Sequence, residues 1–96
     1  MDQGSVLLTV ENQTGAELWY FQYASCGSSA WTEVIASDAY VPNGAFISSV
    51  DLYPGCYDLY VEDEYGCVSQ TSAGSLSGGL EFTWTVYAAD MYCYYY

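Results

Sequence analysis

Hydrophobic and polar positions alternate with a period of two in several separate stretches of this chain, and no stretch keeps a helical period. Residues 5–11 (S-V-L-L-T-V-E) place Val6, Leu8 and Val10 on one face of a half-buried strand. Residues 16–24 read as a second strand with two apolar faces, Leu18 and Tyr20 on one and Trp19, Phe21 and Tyr23 on the other. Such a strand is central in a sheet or covered by a partner. The intervening Asn12-Gln13-Thr14-Gly15 supplies turn residues, so these two strands are expected to pair as a hairpin. Residues 25–44 are the longest irregular region, long enough to need tying down, and Cys26 and Trp31 are the candidates.

Residues 45–53 return to alternation, with Phe46, Ser48, Val50 and Leu52 expected inward. Pro54-Gly55 then turns the chain into residues 56–62, where Tyr57, Leu59 and Val61 alternate with Cys56, Asp58, Tyr60 and Glu62, a second expected hairpin. Asp63-Glu64-Tyr65-Gly66 reads as a tight turn into a polar edge strand of roughly six residues from Cys67. Residues 80–87 alternate strictly, with Leu80, Phe82, Trp84 and Val86 inward and Glu81, Thr83, Thr85 and Tyr87 outward. Strands at roughly ten-residue spacing predict an all-β fold, an antiparallel, immunoglobulin-like β-sandwich of about six or seven strands. One such domain covers residues 1–88, and residues 89–96 form an aromatic, cysteine-containing C-terminal tail.

The order N-x-T-G after a first strand, a Trp-containing loop, a P-x-G turn, P-G-C-Y-D-L-x-V-x-D-x-x-G and a final T-W-T-V strand resembles a class of small exported bacterial β-sandwich domains of undescribed function. Here those elements are Asn12 to Gly15, Trp31, Pro42 to Gly44, Pro54 to Gly66 and Thr83 to Val86. The chain departs from that class in carrying Tyr60 where the Y-D-L-x-V strand has Arg. The resemblance implies the fold and export, and no activity.

Charge changes the picture most. The chain has no Lys, Arg or His against 12 Asp plus Glu, a formal charge of −12. It can make no side-chain salt bridge and cannot neutralise phosphates, so nucleic acid and anionic membranes are excluded as charge-driven partners. No window approaches the roughly 18 apolar residues of a membrane span, so no membrane insertion is expected. Met1-Asp2-Gln3 has neither a basic nor an apolar leader region, so any signal peptide is expected to have been removed already.

Four cysteines, Cys26, Cys56, Cys67 and Cys93, with no His and no C-x-x-C spacing, point to disulfides rather than zinc. That places the protein in an oxidising compartment, secreted or at the cell surface. All three pairings are open from sequence.

Uncompensated carboxylates repel one another, and divalent cations would relieve them. Asp58, Glu62, Asp63 and Glu64 lie on or beside the acidic turn, with Asp51 one turn away, and calcium is the cofactor such oxygen ligands would take. The alternative is a solvated acidic hairpin tip. Catalysis is not expected, because there is no imidazole or amine base and nothing cationic to activate a thiol.

Twelve tyrosines are too many for one small core. Tyr60, Tyr65, Tyr87, Tyr92, Tyr94, Tyr95 and Tyr96 are the candidate interaction residues, by self-association or by stacking on sugar rings. Cys93 could staple the tail to its own domain or reach a neighbouring copy. Asn12-Gln13-Thr14 also fits the N-glycosylation pattern. The sequence thus predicts a non-catalytic, secreted structural module that associates with copies of itself in a fibre or surface layer. Its alternative is a calcium-dependent carbohydrate-binding or adhesion module.

Overall fold

The computed structural model describes residues 4–93, and Tyr94, Tyr95 and Tyr96 lie outside the described residues. Seven strands divide between two sheets: β1 (Leu7–Gln13), β2 (Leu18–Ser25), β3 (Thr32–Glu33), β4 (Phe46–Ser48), β5 (Gly55–Asp63), β6 (Val68–Leu76) and β7 (Glu81–Tyr87). One sheet has the order β4-β1-β7, the other β3-β2-β5-β6. The chain is therefore mostly β, in two sheets, as expected of an all-β fold.

Its pairing differs from expectation in three places. Strands β1 and β2 do not pair as a hairpin, because the turn after β1 carries the chain into the other sheet. Pro54-Gly55 is likewise a crossing, since β4 pairs with β1 while β5 pairs with β2 and β6. The sandwich is also not wholly antiparallel, for β1 and β7 run parallel over seven residue pairs, from Leu7 with Glu81 to Gln13 with Tyr87. Period-two patterning says which side of a strand is inward, but it does not say which strand lies alongside.

The core collects the inward set of each long strand: Val6 just before β1, Leu8 and Val10 in β1, Phe21 in β2, Leu59 and Val61 in β5 and Val86 in β7 are buried. Three residues expected inward, Phe46, Val50 and Leu80, are exposed instead, while Leu52, Phe82, Trp84 and Val86 lie on the core as expected. Phe46 and Val50 are 70% and 72% exposed, whereas Ser49 is buried and Ala45 and Ile47 pack on the core, so the parity is shifted by one up to Val50, while Leu52 packs on the core as expected. The Ser49 hydroxyl explains this, accepting the Leu8 N–H at 3.1 Å and donating to the Val50 carbonyl at 2.8 Å, which satisfies it inside. Leu80 is exposed because it precedes β7 in the turn, where its N–H donates to the Ser77 carbonyl.

Both disulfides are internal, Cys26 with Cys56 and Cys67 with Cys93. The second folds the tail back: Val68 and Tyr92 exchange two backbone hydrogen bonds at 2.7 and 2.8 Å, so the tail covers the start of the β6 edge. Two bonds in so small a domain fit an oxidising environment.

Asn12 holds the crossing between sheets and is wholly buried, at 0% exposure. Its Nδ2 donates to the Ala16 carbonyl at 2.7 Å and the Val41 carbonyl at 2.9 Å, while Oδ1 accepts from the Thr14 N–H at 3.0 Å and hydroxyl at 2.7 Å. Its match to the glycosylation pattern is therefore a structural signature, since a buried amide with both hydrogens donated offers nothing to modify in the folded chain. Asn12→Ala is expected to lower unfolding free energy by about 2–4 kcal/mol, because the carbonyls and the N–H it serves lose their partners. Urea denaturation of both proteins checks this.

Tyr57 opens β5 with its ring in the core, edge-on to Tyr23 with centroids 6.1 Å apart. Its hydroxyl donates to the Tyr53 carbonyl at 2.6 Å. Burial, and then the neighbouring Tyr23, push its pKa above the ordinary 10.0. The unfolded chain then loses this proton at lower pH than the folded one, so the stabilisation is complete below pH 10.0 and is lost as pH rises through the higher folded value. Tyr57→Phe should cost about 1 kcal/mol at neutral pH. Its disadvantage should shrink at alkaline pH, read as converging denaturation midpoints.

Candidate functional site

The outer face of the β3-β2-β5-β6 sheet is built by one irregularity. Between Leu18 and Tyr20 the β2–β5 register slips, a β-bulge, and two consecutive aromatics then face out. Leu18 and Phe21 are buried, while Trp19 and Tyr20 between them are 46% and 42% exposed. Simple alternation puts Tyr20 inward with Leu18, and the extra residue overturns that expectation.

Below the bulge, register alone assembles a row across all four strands. Glu33 faces Gln22, Gln22 faces Tyr60, and Tyr60 faces Gln70. In the next row Tyr20 opposes Glu62. Directly opposite residues on one face stand about 5 Å apart, close enough for these side chains to form one surface. Trp31, just before β3, leans over this row, its ring centroid 6.1 Å from that of Tyr60 at an interplanar angle of 57°. Tyr20, Gln22, Trp31, Tyr60, Glu62 and Gln70 line an open hollow of about 400 Å³.

Hydrogen bonds fix this surface. The Tyr60 hydroxyl donates to Glu62 Oε1 at 2.7 Å, and Gln22 Nε2 donates to Glu33 Oε1 at 3.0 Å. Glu33 Oε2 accepts the Phe21 and Ile35 N–H groups at 2.8 and 3.1 Å, donors that the two-residue strand β3 leaves without a ladder partner. The arrangement offers flat aromatic area, two primary amides and a carboxylate, which suit a ligand with apolar faces and hydroxyl edges.

The five carboxylates expected as calcium ligands are not brought together. Asp63 points inward from β5 and is buried, its Oδ1 accepting the Tyr65 and Cys67 N–H groups, each at 2.9 Å, which closes the turn where Gly66 takes φ 84°. Glu64 turns back to Glu17, accepting its N–H at 2.7 Å. Asp58 and Glu62 lie on the opposite face of β5 from Asp63, by period two. Asp58 Oδ2 accepts the Gly27 N–H at 3.4 Å. Asp51 lies apart, beside a separate hollow with Ser5 and Tyr53. Among the described residues no three His, Cys, Asp or Glu side chains form a group that could hold a metal ion.

Of the expected interaction tyrosines among the described residues, only Tyr60 joins the outer-face surface, and Tyr94, Tyr95 and Tyr96 lie outside them. Tyr65 is exposed at the β5–β6 turn, Tyr87 ends β7 in the other sheet, and Tyr92 sits on the β6 edge. Tyr20, Gln22, Gln70 and Trp31 are not among the residues expected at the site, Trp31 having been expected only to tie down the loop of residues 25–44. Gln70 was open to prediction from the alternation of β6, but Tyr20 depends on a bulge that the pattern conceals. No helix among the described residues is long and apolar enough to cross a membrane. Comparison with protein-family models, with characterised proteins and with solved structures gives no match.

Proposed function

We propose that this is a non-catalytic, extracellular carbohydrate-binding module that uses the outer face of its four-stranded sheet. The observation that supports this reading is the convergence of Tyr20, Trp31 and Tyr60 with Gln22, Gln70 and Glu62 around one open hollow. Aromatic rings cover the apolar faces of a sugar, while amides and a carboxylate take its hydroxyls. With a charge of −12 and no basic side chain, neutral or cationic glycans are favoured over acidic ones. The two disulfides support secretion. An immunoglobulin-like scaffold is supported by the four-plus-three division of seven strands and by Tyr57, whose hydroxyl returns to the backbone four residues upstream. Calcium is left out of this reading because the acidic side chains proposed for it are dispersed.

On a glycan array, the protein should retain uncharged oligosaccharides and reject sulfated or uronic-acid ones. Tyr60→Ala should weaken binding by roughly ten- to a hundredfold in titration calorimetry, while Phe46→Ala, on the other sheet, should leave it unchanged. No retention of any neutral or cationic glycan would overturn the reading.

Self-association is the second reading, favoured by β7, paired on one side only among the described residues, and by the exposed Phe46, Val50 and Tyr53. Cys93 is bonded to Cys67 in the same chain, so association would proceed through strand edges and aromatic faces rather than through that thiol. Light scattering under oxidising conditions should then show oligomers that Phe46→Ala and Val50→Ser disperse, and a strict monomer at all concentrations would remove this reading.

A further inference from the structure

A second hollow of about 400 Å³ adjoins the first, and Tyr20 lines both. Its walls are Trp19, Tyr20 and Tyr40, its carboxylates Glu17, Glu33 and Asp38, and the buried Ile35 lies at its floor. The β2 bulge creates this place, because only with Trp19 and Tyr20 both turned outward do two aromatics from one strand face the loop that carries Tyr40. The carboxylates alone would not distinguish it from the rest of an acidic surface. Aromatic rings together with carboxylates do, because a ring face and a negative charge both attract an organic cation while neither attracts an anion. The two hollows also differ in charge, since one carboxylate, Glu62, and two amides line the first, whereas three carboxylates and no amide line the second.

Two of the carboxylates are already oriented. Glu17 Oε1 accepts the Trp19 indole N–H at 3.1 Å, holding charge beside that ring. Glu33 is braced by Phe21, Ile35 and, through Oε1, by Gln22 of the first hollow, which ties the two places together. No Lys, Arg or His exists anywhere in the chain to neutralise these groups from within.

Building on the saccharide reading above, we infer that this second hollow takes a free ammonium group carried on the same oligosaccharide, so that the preferred ligand is an amino sugar polymer with un-acetylated amines. One sugar unit stacks against Tyr60 and Trp31, and the ammonium of a neighbouring unit enters among Trp19, Tyr20 and Tyr40 beside Asp38 and Glu17.

The test is titration calorimetry of the intact protein with an N-acetylated amino sugar oligomer and with its fully de-acetylated counterpart, at about 20 and about 500 mM salt. The de-acetylated oligomer should bind roughly three- to thirtyfold more tightly at low salt, and this advantage should fall at high salt. Asp38→Asn and Tyr40→Ala, both at exposed loop positions, should each remove most of the advantage, read as the ratio of the two affinities within each variant. Equal affinity for the two oligomers overturns the inference but leaves the saccharide reading standing. An advantage that persists undiminished in both variants also overturns it, because it then reflects attraction of a polycation to the whole acidic surface. Failure of both oligomers to bind, together with no response on the glycan array, removes the reading as well.

Discussion

Every carboxylate in this fold must be stabilised without a cationic side chain, because the chain contains none. Backbone N–H groups and hydroxyls do that work at the points where the structure most needs fixing. Asp63 closes the β5–β6 turn through two N–H groups, Glu33 completes the free side of β2, Glu64 ties that turn to Glu17, and Asp90 accepts the Tyr87 N–H at 2.9 Å where β7 ends. Across the parallel pair, the Thr9 and Thr85 hydroxyls donate to Glu81 and Glu11 at 3.0 and 3.1 Å. Hydrogen bonds to a charged group stabilise by about 1.5–3 kcal/mol, more than the 0–1 kcal/mol typical of an exposed salt bridge. Lacking cations therefore costs the fold little in pairwise contacts. What it leaves is uncompensated negative charge, which under the proposed reading favours neutral or cationic ligands over acidic ones.

Much of the architecture was legible in the alternation. Val6, Leu8 and Val10, then Leu59 and Val61, are inward because β-strands expose every second residue to one face, and the sequence marks those positions without ambiguity. The polar edge strand after Cys67 is likewise β6, longer than expected at nine residues but at the margin of its sheet. Pairing was not legible. Nothing local in Asn12 to Gly15 distinguishes a hairpin turn from a crossing, since the deciding interaction is Asn12 reaching Val41, 29 residues away. Residues 45–53 misled for a similar reason: Ser49 looks like a surface residue until Leu8 supplies its hydrogen bond.

The outer face was half legible. Tyr60 and Glu62 follow from the alternation of β5, and their neighbours follow once register is known. The bulge at Trp19 carries no composition signal, yet it places Tyr20 between two hollows and so joins them into one surface. Acidic residues grouped in sequence around residues 58–64 suggested a metal site, but a strand sends neighbours to opposite faces and the turn uses Asp63 internally. Proximity along a strand is a poor guide to proximity in space, and a cross-strand row such as Glu33-Gln22-Tyr60-Gln70 is invisible until the sheet is assembled.

The central claim is that recognition happens on this face and not on the opposite sheet. An isotope-edited NMR titration of the labelled protein with an amino sugar oligomer tests it most directly. The account predicts concentration-dependent shifts of the Gln22 and Gln70 side-chain amides and of the Trp31 and Trp19 indole N–H groups, with Phe46, Val50 and Tyr87 unmoved. Shifts confined to β4, β7 and the residues around them, with the Gln22 and Gln70 amides unchanged, would contradict it.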